Sequence, residues 1–273
     1  MVKLENKAPD AFGDRMKMFE RFETGRRFMP LLPIYARIDG KSFSRFTQGM
    51  ERPYDVNMSK CMLETTKYLV EETNACVGYH QSDEISLLWY NDSHDNQVFF
   101  DGKIFKMTSV LSAMATSAFM MEAVEVFPDR VRKMRPVFDC RIFQLPTKDE
   151  AANAFLWRAL DCQKNSISMA ARSVCSHNEL NGLNGKQMQE LMFQKAGINY
   201  ADYPSWFKNG TFVRRRKVLK ELTPETLAKI PEGRRPDGPI LRNETEEISI
   251  RFSKVTNRVG FLFGTEDPIF KEE

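Results

Sequence analysis

The spacing of apolar residues distinguishes helices from strands in the first part of the chain. Apolar side chains recur at three- and four-residue steps in 55–74 and 104–126, which predicts two helices, the second apolar enough to be largely buried. A further short helix is predicted at 14–25. Short apolar runs bounded by Pro, Gly or polar turns predict strands at 33–39, 76–80, 85–90 and 136–145.

The predicted elements follow the order strand–helix–strand–strand–helix–strand. This is the ferredoxin-like βαββαβ unit of an α+β fold, the order found in polymerase-type palms. With right-handed crossovers its sheet has the spatial order 4-1-3-2. The first and third strands are then antiparallel neighbours, so the last residue of one lies beside the first residues of the other. We therefore expect Asp39, Asp83 and Glu84 together at one end of the sheet.

The rest of the chain is predicted to be more helical. Thr147 and Glu150 form a capping-box pattern that begins a long helix. Helices are predicted at 147–176 and 186–196, and strands at 207–219 and 247–263. The chain is thus divided into a palm-like catalytic domain, 1–146, and a mostly helical C-terminal domain, 147–273, which carries a basic RNA-contact segment.

The overall charge is too small to indicate a nucleic-acid partner by itself. Forty basic and 37 acidic residues give a formal net charge of +3, so local clustering has to carry that argument. Five scattered cysteines without a CxxC pair disfavour a disulfide framework or a zinc site, and the three histidines share no spacing. A charged N-terminus and the lack of any run of about 18 apolar residues predict a cytoplasmic protein without a membrane span.

Asp39, Asp83 and Glu84 are the candidate catalytic residues. Carboxylates that meet at partly buried positions cost free energy or take up protons. A divalent cation removes that cost, and oxygen ligands without His or Cys suit Mg²⁺. Two Mg²⁺ ions bridged by Asp39 and Asp83, with the carbonyl of Gly40 as a further ligand, are the arrangement for nucleotidyl transfer. Taken singly, each of these short acidic stretches is also what an ordinary turn contains.

Phosphate-binding candidates follow the first strand and begin the second long helix. The amides of residues 41–44, with the hydroxyls of Ser42 and Ser44, are predicted to form a nest-like anion site for a triphosphate. Lys103 and Lys106 stand at a helix start, where positive charge is unfavourable and hints at an anionic partner. The densest basic run, 207–220, has interleaved aromatic residues and suits an RNA backbone. A solvated charged surface is the alternative for both basic groups.

Five motifs, in family order, resemble those of the tRNA-His guanylyltransferase family. That family includes a related branch of guanylyltransferase-like proteins, which extend RNA in the 3′-to-5′ direction. The resemblance covers about 19–217 of the chain. The motifs are RIDGKSFSRF at 37–46, GYHQSDEISLLW at 78–89, FDCRIFQLP at 138–146, WRALDC at 157–162 and GINYADYPSWFKNGTF at 197–212.

The resemblance implies a polymerase-like palm, commonly in a homotetramer, that uses two Mg²⁺ ions, ATP, GTP and other nucleoside triphosphates to extend tRNA at its 5′ end. Asp39, Gly40 and Asp83 match the metal-binding positions, and Glu84 matches a further acidic residue. The nucleotide-binding positions match Asp39, Gly40, Lys41, Ser42, Phe43, Ser44, Ser82 and Asp83. Lys103 and Lys106 fall near the basic positions that handle triphosphate and the RNA 5′ end, where the alignment needs a small gap. The candidate RNA contacts are Gln163, Lys164, Asn165, Lys208, Arg214, Arg215 and Arg216.

One departure from the family pattern bears on the reaction. The guanylyltransferase branch carries a His-Ile-Asn-Asn signature associated with reading the histidine anticodon, and here that place holds Gln163, Lys164, Asn165 and Ser166. Template-directed repair of shortened tRNA 5′ ends is therefore preferred to guanosine addition on histidine tRNA. A nucleotide cyclase is a second alternative. A non-catalytic RNA-binding module is a third, although such modules stack bases on central-strand aromatics and the first strand offers only Tyr35.

Overall fold

The computed structural model describes residues 11–264 and 266–271; the outermost residues of the two predicted domains lie outside that part. The strands are Ile34–Gly40 (β1), Val77–Gln81 (β2), Glu84–Trp89 (β3), Phe138–Gln144 (β4), Thr211–Lys220 (β5) and Ile240–Ile248 (β6). The α-helices are Ala11–Thr24 (α1), Phe43–Phe46 (α2), Val56–Thr73 (α3), Ile104–Val126 (α4), Pro128–Met134 (α5), Lys148–Arg172 (α6), His177–Leu180 (α7), Gly185–Ala196 (α8), Ser205–Asn209 (α9), Pro224–Ala228 (α10) and Arg258–Phe263 (α11).

The six strands form one antiparallel sheet in the order β4-β1-β3-β2-β5-β6. Its first four strands confirm the predicted 4-1-3-2 arrangement and the α+β fold with a ferredoxin-like palm. The last two strands, which come from the C-terminal part of the chain, pair onto β2 and continue the same sheet. The domain boundary at residue 146 stays a prediction, but the sheet itself crosses it.

Helices cover the middle of the sheet on both faces, which explains why β2 and β3 are buried along their whole length. On one face Ile34, Ala36 and Ile38 of β1 pack with α3 and α4. On the other face Tyr35 packs with residues of β2 and α6, including Phe155. Side chains alternate across a strand, so Arg37 and Asp39 project on the same side as Tyr35, towards α6.

Helix α4 packs on the sheet along one side only. Met107, Leu111, Ala115 and Phe119 are fully buried, whereas the opposite side of the helix is exposed, so the prediction of a largely buried helix was wrong. Among the described residues α4 is also the one helix whose length and mean hydropathy of 1.3 suffice to cross a membrane. A single such helix is weak evidence, because core helices pass the same test.

The C-terminal elements differ most from the sequence prediction. Only the first two residues of the predicted strand 247–263 belong to β6, and the later ones form a 3₁₀ turn and α11. Consecutive apolar residues such as Phe261 and Leu262 pack against α6 from a helix, whereas a strand would turn alternate residues away. The predicted strand 207–219 begins later, because 207–209 belong to α9. Helix α6 begins at the Thr147 cap, as predicted, but ends at Arg172.

Candidate active site

The end of β1 meets the β2–β3 turn at one end of the sheet. We call the group of carboxylates at this end the acidic edge. Asp39 pairs with Glu84 across the two central strands, and the amide of Gly40 donates to the carbonyl of Asp83 at 3.1 Å. The turn contains only Ser82 and Asp83, and Ser82 adopts a left-handed conformation with φ of 50°. The sequence prediction that these acidic residues converge is confirmed, while their role as metal ligands stays a prediction.

Burial, and then repulsion from a neighbouring carboxylate, raises the pKa of each aspartate. The pKa of Asp83 rises to about 6, first because the carboxyl is buried and then because Asp39 repels its negative charge. Burial, followed by repulsion from Asp139, raises the pKa of Asp39. In the described part of the chain neither Asp39 nor Asp83 takes part in an ion pair. The site therefore concentrates negative charge that no cationic side chain neutralises directly.

Asp139 of β4 is a third aspartate beside these residues, which the sequence analysis did not identify. It pairs with Asp39 across β1 and β4, and its carboxylate lies 3.4 Å from the guanidinium of Arg141. The signal was present in the sequence, because the FDCR stretch begins the strand that the 4-1-3-2 order places beside β1. Asp139 widens the acidic edge on the side away from β3.

Glu84 is neutralised by a buried arginine of α6. The Nε and Nη2 atoms of Arg158 donate to its two carboxylate oxygens at 2.6 and 2.8 Å, and both residues are 7% exposed. Arg158 also donates to Asp161 at 3.0 Å, and Arg37 lies 3.9 Å from Glu84. The structure thus places Glu84 as an anchor between the sheet and α6, and a direct catalytic role for it stays a prediction.

The turn after β1 is closed by the ring of Phe43. A Cβ atom on residue 40 would clash with this ring, so the chain needs Gly40 at that position. Phe43 itself is buried against Phe119 and Phe138, which leaves only its backbone for a nucleotide contact. This limits the predicted role of Phe43 to its main-chain atoms.

Part of the predicted anion site is already occupied by the fold. The amide of Lys41 donates to the carbonyl of Val137 at 2.9 Å, which corrects the prediction that this amide binds phosphate. Ser42 has a φ of 57° at the start of α2, and the side chains of Lys41, Ser42 and Ser44 are exposed. The exposed hydroxyls and the amides of residues 42–44 remain the predicted phosphate contacts.

A cavity of about 580 Å³ opens beside the acidic edge. Asp39 and Asp83 form its floor at the end of the sheet, residues from 47 to 59 form a second wall, and α6 forms a third. Trp206 and Phe207 of α9 complete it. Its volume lies in the range of sites that hold a molecule the size of a nucleotide.

Two of the three predicted RNA contacts on α6 lie at this cavity, in contrast to those further along the chain. Lys164 and Asn165 are exposed and line the cavity. Gln163 is half-buried and donates to the side chain of Asn209 at 3.3 Å. The ammonium of Lys208 donates to a backbone carbonyl, that of Ala201. Only Lys164 and Asn165 are therefore placed to meet a bound molecule directly.

The arginines of β5 have three different surroundings. Arg214 is 4% exposed, donates to Glu246 at 2.9 Å and to the carbonyl of Glu266 at 2.7 Å, and lies over the ring of Phe261. It is a packing residue, which corrects the predicted RNA contact at that position. Arg216 is exposed but bonds Glu246 at 3.2 Å, and Arg215 is half-buried. For these two, RNA contact stays a prediction.

Lys103 and Lys106 lie away from the carboxylates. Lys103 forms a backbone β-bridge with Arg27. The same segment contains Met29, whose carbonyl accepts from the side chain of Gln144. Gln144 pairs with Ile34, which lies at the opposite end of β1 from Asp39. The ammonium of Lys106 lies 4.4 Å from the ring centre of Phe100. Neither lysine lines the cavity, so the structure does not bring them to the acidic edge of their own chain.

The donor set at the acidic edge fits a hard divalent cation. Among the described residues there is no cluster of three or more Asp, Glu, His or Cys side chains with ligand geometry. Mg²⁺ does not need one, because it keeps several waters and commonly uses one or two carboxylates with substrate phosphates. Asp39 and Asp83 supply two carboxylates whose pKa values are raised first by burial and then by neighbouring carboxylates, and a bound cation would offset both costs.

Comparison with known proteins gives one consistent answer. Residues 13–146 match the family model described as Thg1: tRNAHis guanylyltransferase. A bacterial Thg1-like protein solved in complex with ATP is 38% identical and superposes with a TM-score of 0.70. The match covers 76% of this chain and 87% of that one. The chain belongs to the Thg1 family. A second bacterial Thg1-like structure, in complex with GTP, is 33% identical with a TM-score of 0.65, the match covering 87% of this chain and 91% of that one.

Membership of the Thg1 family makes the chain a nucleotidyltransferase. The tRNA(His) guanylyltransferase 2 of Arabidopsis thaliana is 30% identical over 224 residues, 78% of this chain but 40% of that longer protein. The activity of the family is guanylyl transfer to tRNA, and the chain is a transferase of that tRNA-processing, nucleotide-binding group. The non-catalytic RNA-binding alternative is thereby excluded.

Proposed function

We propose that this Thg1 family member repairs tRNA 5′ ends by template-directed addition of nucleotides in the 3′-to-5′ direction. Its substrates are a tRNA with a shortened 5′ end, ATP and the nucleoside triphosphates. The observation that carries the proposal is the pair Asp39–Asp83, whose charge the fold leaves unpaired beside a nucleotide-sized cavity. ATP and GTP are the ligands of the two bacterial relatives.

The reaction has two phosphoryl-transfer steps. In the first, an oxygen of the tRNA 5′-monophosphate attacks the α-phosphorus of ATP, and pyrophosphate leaves. In the second, the 3′-hydroxyl of the incoming nucleotide attacks the activated 5′-phosphate of the tRNA. It loses its proton, and AMP leaves with the electrons of the broken anhydride bond. A tRNA that already ends in a 5′-triphosphate skips the first step and releases pyrophosphate in the second.

The chain's own residues bind and orient the reacting groups. Two Mg²⁺ ions would supply charge neutralisation and a lowered pKa for the attacking hydroxyl, and Asp39, Asp83 and the carbonyl of Gly40 would hold them. The exposed turn of Ser42 and Ser44 receives phosphate oxygens. Arg158 keeps Glu84 neutralised and fixes α6 as a cavity wall.

Position 163 favours repair over guanosine addition to histidine tRNA. The His-Ile-Asn-Asn signature is absent, and Gln163, in place of its His, contacts Asn209 within the protein. Asn165, which matches the signature, is exposed at the cavity. Guanosine addition remains the second candidate, because the family model and the Arabidopsis relative carry that activity in their names. A cyclase reaction would need no RNA and has no specific observation in its favour.

An assay of nucleotide addition to the tRNA 5′ end tests the proposed function. A 5′-monophosphorylated tRNA missing its first nucleotide is incubated with the protein, Mg²⁺, ATP and each nucleoside triphosphate in turn, and the products are separated on a gel. We expect growth only with the nucleotide complementary to the opposite strand. Addition of G regardless of template, and only on histidine tRNA, would overturn repair in favour of guanosine addition. A cyclic or free product without extension would support the cyclase.

The exposed apolar side of α1 supports self-association, and we propose a homotetramer. Every residue of α1 is solvent-accessible, and Phe12, Met16, Phe19 and Phe22 fall on one side of the helix with exposures between 40% and 76%. Such a stripe is typical of an interface. Light scattering after gel filtration should give a tetramer for the parent, a smaller species for Phe19→Glu, and an unchanged tetramer for Lys17→Gln. A monomeric parent would contradict the proposal.

We propose a cytoplasmic location, where tRNA substrates and a reducing environment are both available. The five cysteines are all free in the structure, which suits such a compartment. A tagged full-length protein recovered in the soluble fraction would support this location, and recovery with membranes would contradict it.

A further inference from the structure

His80 is the unusual polar residue of the fold. Within the described residues, its two ring nitrogens are the only buried side-chain nitrogen or oxygen atoms without a hydrogen-bond partner. The residue is 4% exposed, and burial lowers its pKa to about 4. The imidazole is therefore neutral at pH 7, with one nitrogen that donates and one that accepts.

The strand geometry places His80 in the wall of the nucleotide-sized cavity. Two residues earlier, Gly78 lies against Val70 and Thr66 of α3, because a Cβ there would meet both side chains. β2 runs back along α3, so His80, on the same face, lies towards the start of that helix. His80 and Met58 both line the cavity.

The fold itself gives His80 no reason to be polar. A buried imidazole with neither nitrogen bonded is less favourable than an apolar side chain of similar size. Its strand neighbours on that face are Gly78, Ile85 and Thr211, and the hydroxyl of Thr211 is already hydrogen-bonded to that of Ser249 at 2.8 Å. Asp55, also in the cavity wall, already accepts from the amide of Met58 at 3.0 Å. A partner supplied by a bound molecule accounts for a histidine at this position.

We propose that His80 hydrogen-bonds the edge of the nucleobase that occupies this cavity. The inference rests on the proposed function, because it requires that the cavity binds a nucleotide. Purine edges present adjacent donors and acceptors, and a neutral imidazole complements either through its two nitrogens. His80 lies three residues before Asp83, so a base held there leaves its phosphates near the acidic edge. His80 is thus a specificity-determining residue for the nucleotide.

Calorimetric titration of the full chain, with Mg²⁺ present, tests the contact. GTP, ATP and inorganic tripolyphosphate are titrated into the parent, His80→Leu and His80→Gln. We expect His80→Leu to weaken binding of at least one nucleotide about tenfold, the loss typical of one hydrogen bond. Tripolyphosphate binding should be unchanged, and His80→Gln, which keeps a donor and an acceptor, should lose less. Unchanged nucleotide affinity in His80→Leu would overturn the inference.

A measurement on the unmodified protein covers the case in which His80→Leu does not fold. The chain has only three histidines, so nitrogen-15 spectra of their rings are simple to assign. We expect the ring nitrogens of His80 to shift when the preferred nucleotide is added and not with tripolyphosphate. Nucleotide binding without any ring shift would overturn the role of His80 alone. Absence of nucleotide binding to the parent would instead overturn the proposed function.

Discussion

Asp83→Asn should abolish nucleotidyl transfer and leave the metal-free protein at least as stable as the parent. The substitution removes a carboxylate expected to hold the cation, which is worth several kcal/mol of transition-state stabilisation, so we expect a loss of at least about 1000-fold. It also removes a buried charge that is repelled by Asp39, which should favour the folded state. Extension assays and thermal unfolding in EDTA measure the two effects.

The raised pKa of Asp83 gives this prediction a pH signature. Between its ordinary value near 3.8 and about 6, the folded state holds a proton on Asp83 that the unfolded state has released. The contribution of this residue to stability therefore falls as pH rises through that window and is level above it. Without metal, Asp83→Asn should lack this fall, and Mg²⁺ should stabilise the parent above pH 6 but not the variant.

Asp92→Asn is the matched control, because Asp92 is an exposed loop residue that does not line the cavity. It should keep the activity and the pH profile of the parent. Transfer by Asp83→Asn above about a tenth of the parental rate would contradict the metal-site interpretation. So would loss of its folded state in circular dichroism, because that would make Asp83 a structural residue.

Arg158→Met should produce the largest loss of stability among single substitutions near the site. It leaves the Glu84 carboxylate buried, with Arg37 as the nearest cation at 3.9 Å. Removing one partner of a buried ion pair typically costs about 3–5 kcal/mol, because the remaining charge is uncompensated. Urea unfolding at pH 7 measures the change in free energy of unfolding.

The double variant Glu84→Gln with Arg158→Met separates this cause from lost packing. It removes the stranded charge, so it should recover a substantial part of the stability that Arg158→Met loses. A cost below about 1 kcal/mol for Arg158→Met would show that Glu84 is solvated or reprotonated without penalty. Failure of the double variant to recover stability would assign the loss to the stacking of Arg158 on Trp157 instead.

The acidic edge could be predicted because topology alone creates it. Hydrophobic periods place Asp39 at the end of one strand and Asp83 before another, and the 4-1-3-2 order makes those strands neighbours. The same reasoning would have reached Asp139, which pairs with Asp39 from the other side. Hydrophobic periods and residue alternation are local signals in the sequence, and the right-handed crossover rule supplies the strand order.

Other parts of the site depended on contacts that periodicity does not encode. Arg214 looked like an RNA contact because its basic run is dense, but the covering segment from α11 onwards buries it. Lys103 begins α4 at the far end of the sheet because β3 runs from Glu84 to Trp89, and Trp89 pairs with Ile34 at the end away from Asp39. His80 offered no spacing signal, because its significance is the lack of a partner in three dimensions.

The most direct test of the central claim is an anomalous difference map from crystals grown with Mn²⁺ and a non-hydrolysable GTP analogue. The claim is that Asp39 and Asp83 together hold the cation that serves nucleotidyl transfer. We expect an anomalous peak in contact with both carboxylates and with the phosphates of the analogue. A map with nucleotide bound but no peak at these aspartates, or with the metal at Asp161 or Asp139 alone, would contradict it.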